Sequence, residues 1–137
     1  MGAESKKLVS LREIEGAVSP HQRQIESALA LRKEALEYIR DAAGLAKYIG
    51  GRTVLLGVGE DWALSKRIFP GVNVYFAFIR GDEEFPSNLK VFFSGRKIGD
   101  MKGEDLAGFV ILYANHMLRY VRETVSGVKL PEVCYRV

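Results

Sequence analysis

The densest group of chemically reactive side chains in the sequence is a run of three carboxylates, Asp82, Glu83 and Glu84. Together with Glu60 and Asp61, this run could supply the hard oxygen ligands that a divalent cation requires. A pair of these acids could also act as general acid and base if burial raised the pKa of one partner. The competing interpretation is a solvated acidic turn between two strands, which Gly81 and Pro86 favour because one suits a special backbone dihedral and the other stops a sheet from extending.

Basic side chains offer a second kind of site. The glycine-rich segment 94–102 carries three cations that could bind an anion, Arg96, Lys97 and Lys102. An ordinary exposed loop is the alternative interpretation of this segment. Arg32 falls inside the apolar stripe of a predicted helix, so its side chain must either extend past the edge of the stripe or meet a carboxylate from elsewhere. An anion- or metal-dependent enzyme could use it together with the acids.

Other motifs give weaker signals. The Gly57-Val58-Gly59 segment follows a predicted strand but lacks the third glycine of a dinucleotide-binding turn. His21 and His116 have no partner at ligand spacing, and Cys134 is the single cysteine. We therefore assign no catalytic residues and no established metal site from the sequence, and we expect no cofactor.

Length and composition predict one domain over residues 1–137. The apolar fraction of 47% and the charged fraction of 27% are those of an ordinary globular protein with one hydrophobic core. Residues 1–7 are predicted to be flexible. Residues 128–137 form a tail that could add an edge strand or lie on the surface.

Hydropathy and charge limit the location and the partners. No apolar run approaches the roughly 20 residues that cross a bilayer, and the N-terminal segment does not resemble a signal peptide, so we expect a cytoplasmic protein with no membrane contact. The formal net charge is only +3, with basic residues scattered among acids, which argues against nucleic-acid binding. A protein partner or a homodimer is plausible because the aromatic content exceeds what one thin layer of helices must bury.

Two helical regions are predicted. Ser19 and Pro20 suit the N-cap and first position of a helix whose apolar stripe comprises Ile25, Ala28, Leu29, Ala35, Leu36 and Ile39. A short continuation over 41–49 ends at Gly50-Gly51, which can take a left-handed cap. A second amphipathic helix is predicted over 104–125.

Strand signals lie between these helices. Residues 52–58 are rich in β-formers and predict a buried strand, whereas 61–69 are predicted to form one or two helical turns. Residues 72–79 and 89–93 place apolar side chains at every second position and predict an antiparallel hairpin with Phe76, Phe78, Val91 and Phe93 directed inward. The other face of this hairpin carries Tyr75, Ala77, Ile79 and Phe92, so we expect the sheet to be covered on both sides at least in part. The predicted fold class is α+β: an antiparallel sheet with a central hairpin, packed against N-terminal and C-terminal amphipathic helices.

Four motifs occur in a recognisable order along the chain: Gly50-Gly51, Phe69-Pro70, the acidic segment 81–86 ending in Phe-Pro, and Glu104-Asp105-Leu106-Ala107. In this order they resemble the domain of unknown function 3786 family over residues 11 to about 120. The resemblance implies the fold and an anaerobe's cytoplasm, but no activity, because the family has none assigned. Ser94-Gly95 departs from the family pattern, in which an aspartate often follows the second hairpin strand.

Three functional hypotheses follow from the sequence. The leading one is a non-catalytic accessory or ligand-binding domain, because a complete core is predicted without a strong catalytic motif. The first alternative is a metal- or anion-dependent enzyme using the acidic hairpin 82–84. The second alternative is a nucleic-acid-binding protein, which would associate in a steeply salt-dependent way.

Overall fold

Four antiparallel strands form a single sheet in sequence order. The computed structural model describes residues 7–137, so all of the predicted flexible segment 1–7 except Lys7 lies outside the described residues. The strands are β1 (Arg52–Val54), β2 (Trp62–Phe69), β3 (Val72–Ile79) and β4 (Asn88–Ser94). The helices are α1 (Leu11–Glu15), α2 (Pro20–Ala30), α3 (Ala42–Tyr48) and α4 (Gly103–Thr124).

One face of the sheet, the inner face, carries the hydrophobic core. Phe76, Phe78 and Phe93 are fully buried there and Val91 is 8% exposed, as the alternation predicts. α4 covers this face, with its Phe109 ring edge-on to Phe69 at a centroid distance of 5.4 Å. The α+β class and the central hairpin are therefore confirmed.

The N-terminal helical region is broken where the sequence predicts one long helix. Ser19 caps α2 as expected, its hydroxyl accepting a hydrogen bond from the Gln22 amide at 3.0 Å. The helix ends at Ala30, and a 3₁₀-helix follows over Lys33–Tyr38. A continuous helix would hold Arg32 in the middle of its apolar stripe, and the break lets this guanidinium reach polar partners while Leu36 stays buried. The predicted third helical segment is present as α3, and Gly50 follows it with φ +77°.

Two predictions for segments of the sheet are wrong. Residues 52–58 do not form a buried strand, because β1 has three residues at the sheet edge and Leu55 is 94% exposed. Residues 61–69 do not form helical turns, because β2 pairs with both β1 and β3. The spacing of Trp62, Leu64 and Ile68 fits a helix and a strand about equally, and backbone pairing with β3 decides between them.

The C-terminal tail packs along α4 instead of forming an edge strand. A 3₁₀-helix spans Glu132–Tyr135, and Leu130 and Cys134 are buried. Arg122 of α4 donates hydrogen bonds to the carbonyl oxygens of Cys134 at 3.1 Å and Val137 at 2.9 Å.

Near the start of the chain, Val9 forms a bridge with Phe93 at the edge of β4. Within residues 7–137 none of the helices has the length and apolar character of a membrane span.

Candidate functional site

The acidic hairpin 82–84 lies beside an open groove of about 500 Å³ that is lined by Glu34, Glu37, Gly81, Asp82, Glu83, Phe85, Pro86 and Ser87. Asp82 is already engaged, because its Oδ1 accepts hydrogen bonds from the Glu84 and Phe85 amides, both at 2.8 Å. These bonds, that from Phe85 foremost, lower the pKa of Asp82. Its carboxylate therefore serves to shape the turn.

Glu60 and Asp61 also bind backbone amides. Glu60 accepts hydrogen bonds from the amides of Leu56, Gly57 and Val58, so it organises the loop after β1. Asp61 accepts a hydrogen bond from the Arg80 amide at 2.7 Å, which ties the start of β2 to the end of β3. In the described part of the chain, no group of three or more His, Cys, Asp or Glu side chains is arranged to hold a metal ion.

Arg32 lies away from the acidic hairpin, on the helical side of the core. Its Nε donates to Asn115 Oδ1 at 2.8 Å and its Nη1 donates to the Ala28 carbonyl oxygen at 2.8 Å. The side chain therefore joins α2 to α4 through neutral acceptors instead of meeting a carboxylate, as one sequence interpretation required.

The arginine that organises the hairpin is Arg80, which sequence reasoning missed. Its guanidinium donates to the carbonyl oxygens of Glu37 at 2.8 Å and Ile39 at 2.7 Å. The Gly81 amide donates to the Glu37 carboxylate at 2.9 Å. These contacts fasten the 3₁₀-helix to the end of the sheet, and a single arginine after an apolar strand carries no pattern that would have revealed them.

The proposed anion-binding cations of segment 94–102 lie on two sides of a short 3₁₀-helix, Ile98–Asp100. Arg96 and Lys97 precede it and are exposed, and Lys102 is the N-cap residue of α4. The Lys97 amide donates to the Gly71 carbonyl oxygen at 3.0 Å, so the backbone here joins the β2–β3 turn.

The two histidines and the cysteine lie in three separate parts of the fold. Glu15 accepts hydrogen bonds from the Ser19 hydroxyl at 2.5 Å and lies 2.8 Å from His21 Nδ1, and the Ser19 bond is the main cause of its lowered pKa. Burial lowers the pKa of His116 and raises that of Cys134. These groups lie at the α1–α2 corner, on α4 and in the tail, so they do not form one site.

The second face of the sheet carries Tyr75 and Phe92, as the sequence predicts, and also three cations that sequence reasoning did not place there. We call it the outer face, and the strand register assigns to it Arg52, Val54, Ala63, Ser65, Arg67, Asn73, Tyr75, Ala77, Ile79, Asn88, Lys90, Phe92 and Ser94. Ala63, Ala77 and Ser94 are buried on this face, and its other side chains are half-buried or exposed. Tyr75 and Phe92 lie opposite each other on β3 and β4 and are half-buried. The alternation of β2 could have added Ser65 and Arg67 to this face, had that segment been identified as a strand.

At one end of the outer face is an open depression of about 430 Å³ that is lined by Gly50, Gly51, Arg52, Ser65, Arg67 and Asn73. Its lining contains two arginines and no carboxylate. Within residues 7–137 neither guanidinium forms an ion pair. Planar guanidinium groups suit bidentate binding of phosphate or carboxylate, so the arrangement can hold an anion.

Comparison with known proteins gives a family but no function. No curated protein matches the chain, and no solved structure matches it. A family model described as a domain of unknown function, DUF3786, matches residues 2–116 of the 137. The order of motifs from Gly50-Gly51 to Glu104-Asp105 predicted this assignment, which the match confirms. The chain therefore belongs to the DUF3786 family.

Proposed function

We propose that this protein is a non-catalytic accessory domain that binds an anionic ligand in the depression at the end of the outer face. The observation that carries this proposal is the lining of that depression, where Arg52 and Arg67 stand beside Ser65 and Asn73 without a carboxylate. Arginines bind phosphate and carboxylate groups through paired hydrogen bonds, and neutral polar side chains supply further donors.

The alternative acidic site has less support. Asp82, Glu60 and Asp61 already accept hydrogen bonds from backbone amides. A metal ion would have to compete with these bonds, and the loops would lose the groups that shape them. An anion at Arg52 and Arg67 displaces no ion pair of the described residues.

Calorimetric titration with tripolyphosphate tests the proposal. We expect saturable binding to the wild-type protein and a loss of at least about tenfold in affinity in the Arg52→Ala/Arg67→Ala double variant. The matched control is Arg23→Ala/Arg136→Ala, which removes two exposed arginines from other parts of the surface. No binding by the folded wild-type protein, or an equal loss in both double variants, would contradict the proposal.

The location and assembly state belong to the same proposal. We infer a cytoplasmic protein of an anaerobe, supported by the lone buried cysteine and by what the family resemblance implies. We also infer a protein partner or a homodimer, supported by exposed apolar side chains such as Leu31 and Phe85. Sedimentation at two protein concentrations tests self-association, and one unchanged monomeric mass at both concentrations would rule out the homodimer.

A further inference from the structure

The outer face has the features of a surface for an extended, unpaired polyanion. We propose that the anionic ligand is a single-stranded nucleic acid that lies across this face, with its phosphates on the arginines and its bases on Tyr75 and Phe92. This inference rests on the proposed anion-binding function and names the class of ligand.

Charge is the first observation that supports it. The charged residues on the outer face are all cations, Arg52, Arg67 and Lys90. The nearest acid in sequence is Asp61, just before β2, and its carboxylate is bound to the Arg80 amide at the opposite end of the sheet from the depression. The face is therefore complementary to a chain of negative charges, although the net charge of the whole protein is only +3.

The two aromatic side chains are the second observation. Tyr75 and Phe92 are direct cross-strand neighbours, and neither contributes to the core. The Tyr75 hydroxyl is 2.8 Å from Ser94 Oγ, which also accepts a hydrogen bond from Asn73 Nδ2 at 3.4 Å. This bond anchors the half-buried Tyr75 side chain to the adjacent strand, and aromatic side chains on a sheet surface are the groups on which unpaired bases stack.

The cations and the aromatics form a continuous track. Register places Arg52, Ser65, Tyr75 and Phe92 in one row across all four strands, a span of about 14 Å at roughly 4.8 Å per strand. Ala63 and Ala77 pair in the middle of the adjacent row and both are buried, so contacts with a ligand come from the larger side chains around them. A row of arginine and aromatic side chains on a sheet accommodates unstacked bases and presents no helix to enter a duplex groove, so it favours a single strand.

Fluorescence anisotropy with a labelled oligouridylate of about ten nucleotides tests the inference. We expect the Tyr75→Leu/Phe92→Leu variant to lose about tenfold or more in affinity for the oligonucleotide, while its tripolyphosphate affinity stays within about twofold of wild type. Leucine keeps the apolar contacts but removes the ring that stacks on a base. The matched control is Phe85→Leu/Tyr135→Leu, which changes two exposed aromatics outside the sheet and is expected to bind like wild type.

Each outcome separates the inference from the proposed function. If tripolyphosphate binds at Arg52 and Arg67 but the Tyr75/Phe92 variant binds the oligonucleotide like wild type, base stacking is wrong and anion binding stands. Tighter binding to a duplex of the same length, or binding to anionic phosphatidylserine vesicles without binding to the oligonucleotide, overturns the inference in the same way. If neither tripolyphosphate nor the oligonucleotide binds, both proposals fail.

Discussion

Individual carboxylates in this protein stabilise its loops by accepting hydrogen bonds from backbone amides. Glu60 accepts hydrogen bonds from the amides of Leu56 at 2.6 Å, Val58 at 2.8 Å and Gly57 at 3.2 Å. Bonds to the charged carboxylate lower its pKa, the bond from Leu56 most of all and that from its own amide next. Such an acid looks like a ligand in the sequence, because residue type and spacing do not reveal which amides will surround it.

The substitution Glu60→Gln should destabilise the protein and change its response to acid. A lowered pKa in the folded state means that the ionised carboxylate contributes stability above its unfolded value near 4.5, and that this contribution disappears as the pH falls through the folded value. We expect the variant to lose about 1 kcal/mol at pH 7 and the difference from wild type to shrink below pH 4.5. Urea unfolding at several pH values measures both effects, and Glu83→Gln, at an exposed position, should change neither. A difference that grows on acidification would contradict the assignment.

Gly95 is a position where any side chain should be costly. Its φ of +123° favours glycine, and a Cβ atom there would overlap the Gly71 carbonyl group of the neighbouring turn. We expect Gly95→Ala to cost about 2 kcal/mol or more in the free energy of unfolding. Gly99→Ala is the matched control, because a Cβ atom at Gly99 meets nothing within 4 Å. Equal stability of the two variants in chemical denaturation would show that the two turns can move apart.

At the level of elements, the sequence was informative where one periodicity dominated. The apolar side chains at every second position of 72–79 and 89–93 correctly predicted β3 and β4, and the caps at Ser19 and Gly50 predicted helix boundaries correctly. The strand at 62–69 was missed because its apolar spacing fits two periodicities and only pairing with β3 resolves them. The cations of the outer face could not be placed for the same reason, since Arg67 and Tyr75 come together only through that pairing.

The inner face of the hairpin should carry much of the stability. Phe76 is fully buried at the centre of β3, so Phe76→Ala should lower the free energy of unfolding by about 3–5 kcal/mol through lost burial and a residual cavity. Phe85→Ala removes the same atoms from a side chain that is 68% exposed and should change stability by less than about 0.5 kcal/mol. Thermal and denaturant unfolding measure both, and a cost below 1 kcal/mol at Phe76 would contradict the architecture.

Over the whole molecule, the placement of charge matters more than its sum. The formal net charge of +3 gives little reason to expect a polyanion partner, and on that ground the sequence argued against nucleic acid. The fold changes the picture because it gathers Arg52, Arg67 and Lys90 on one face. Acids such as Glu60 and Asp82 lie in loops, where they accept hydrogen bonds from backbone amides.

The salt dependence of oligouridylate binding shows whether affinity depends on the cations of the outer face or on the net charge of the whole protein. Counterion release from a single strand makes log Kd change with log salt by about 0.7 for each phosphate neutralised, so three cations predict a slope of about 2. Replacing Arg52 and Arg67 with alanine should reduce this slope by about 1.4, leaving about 0.7. The Arg23→Ala/Arg136→Ala variant also loses two positive charges, which lowers the formal net charge from +3 to +1, yet its slope should stay near that of wild type. Equal flattening in both variants would mean that the oligonucleotide senses only the total charge and that the outer face has no particular role.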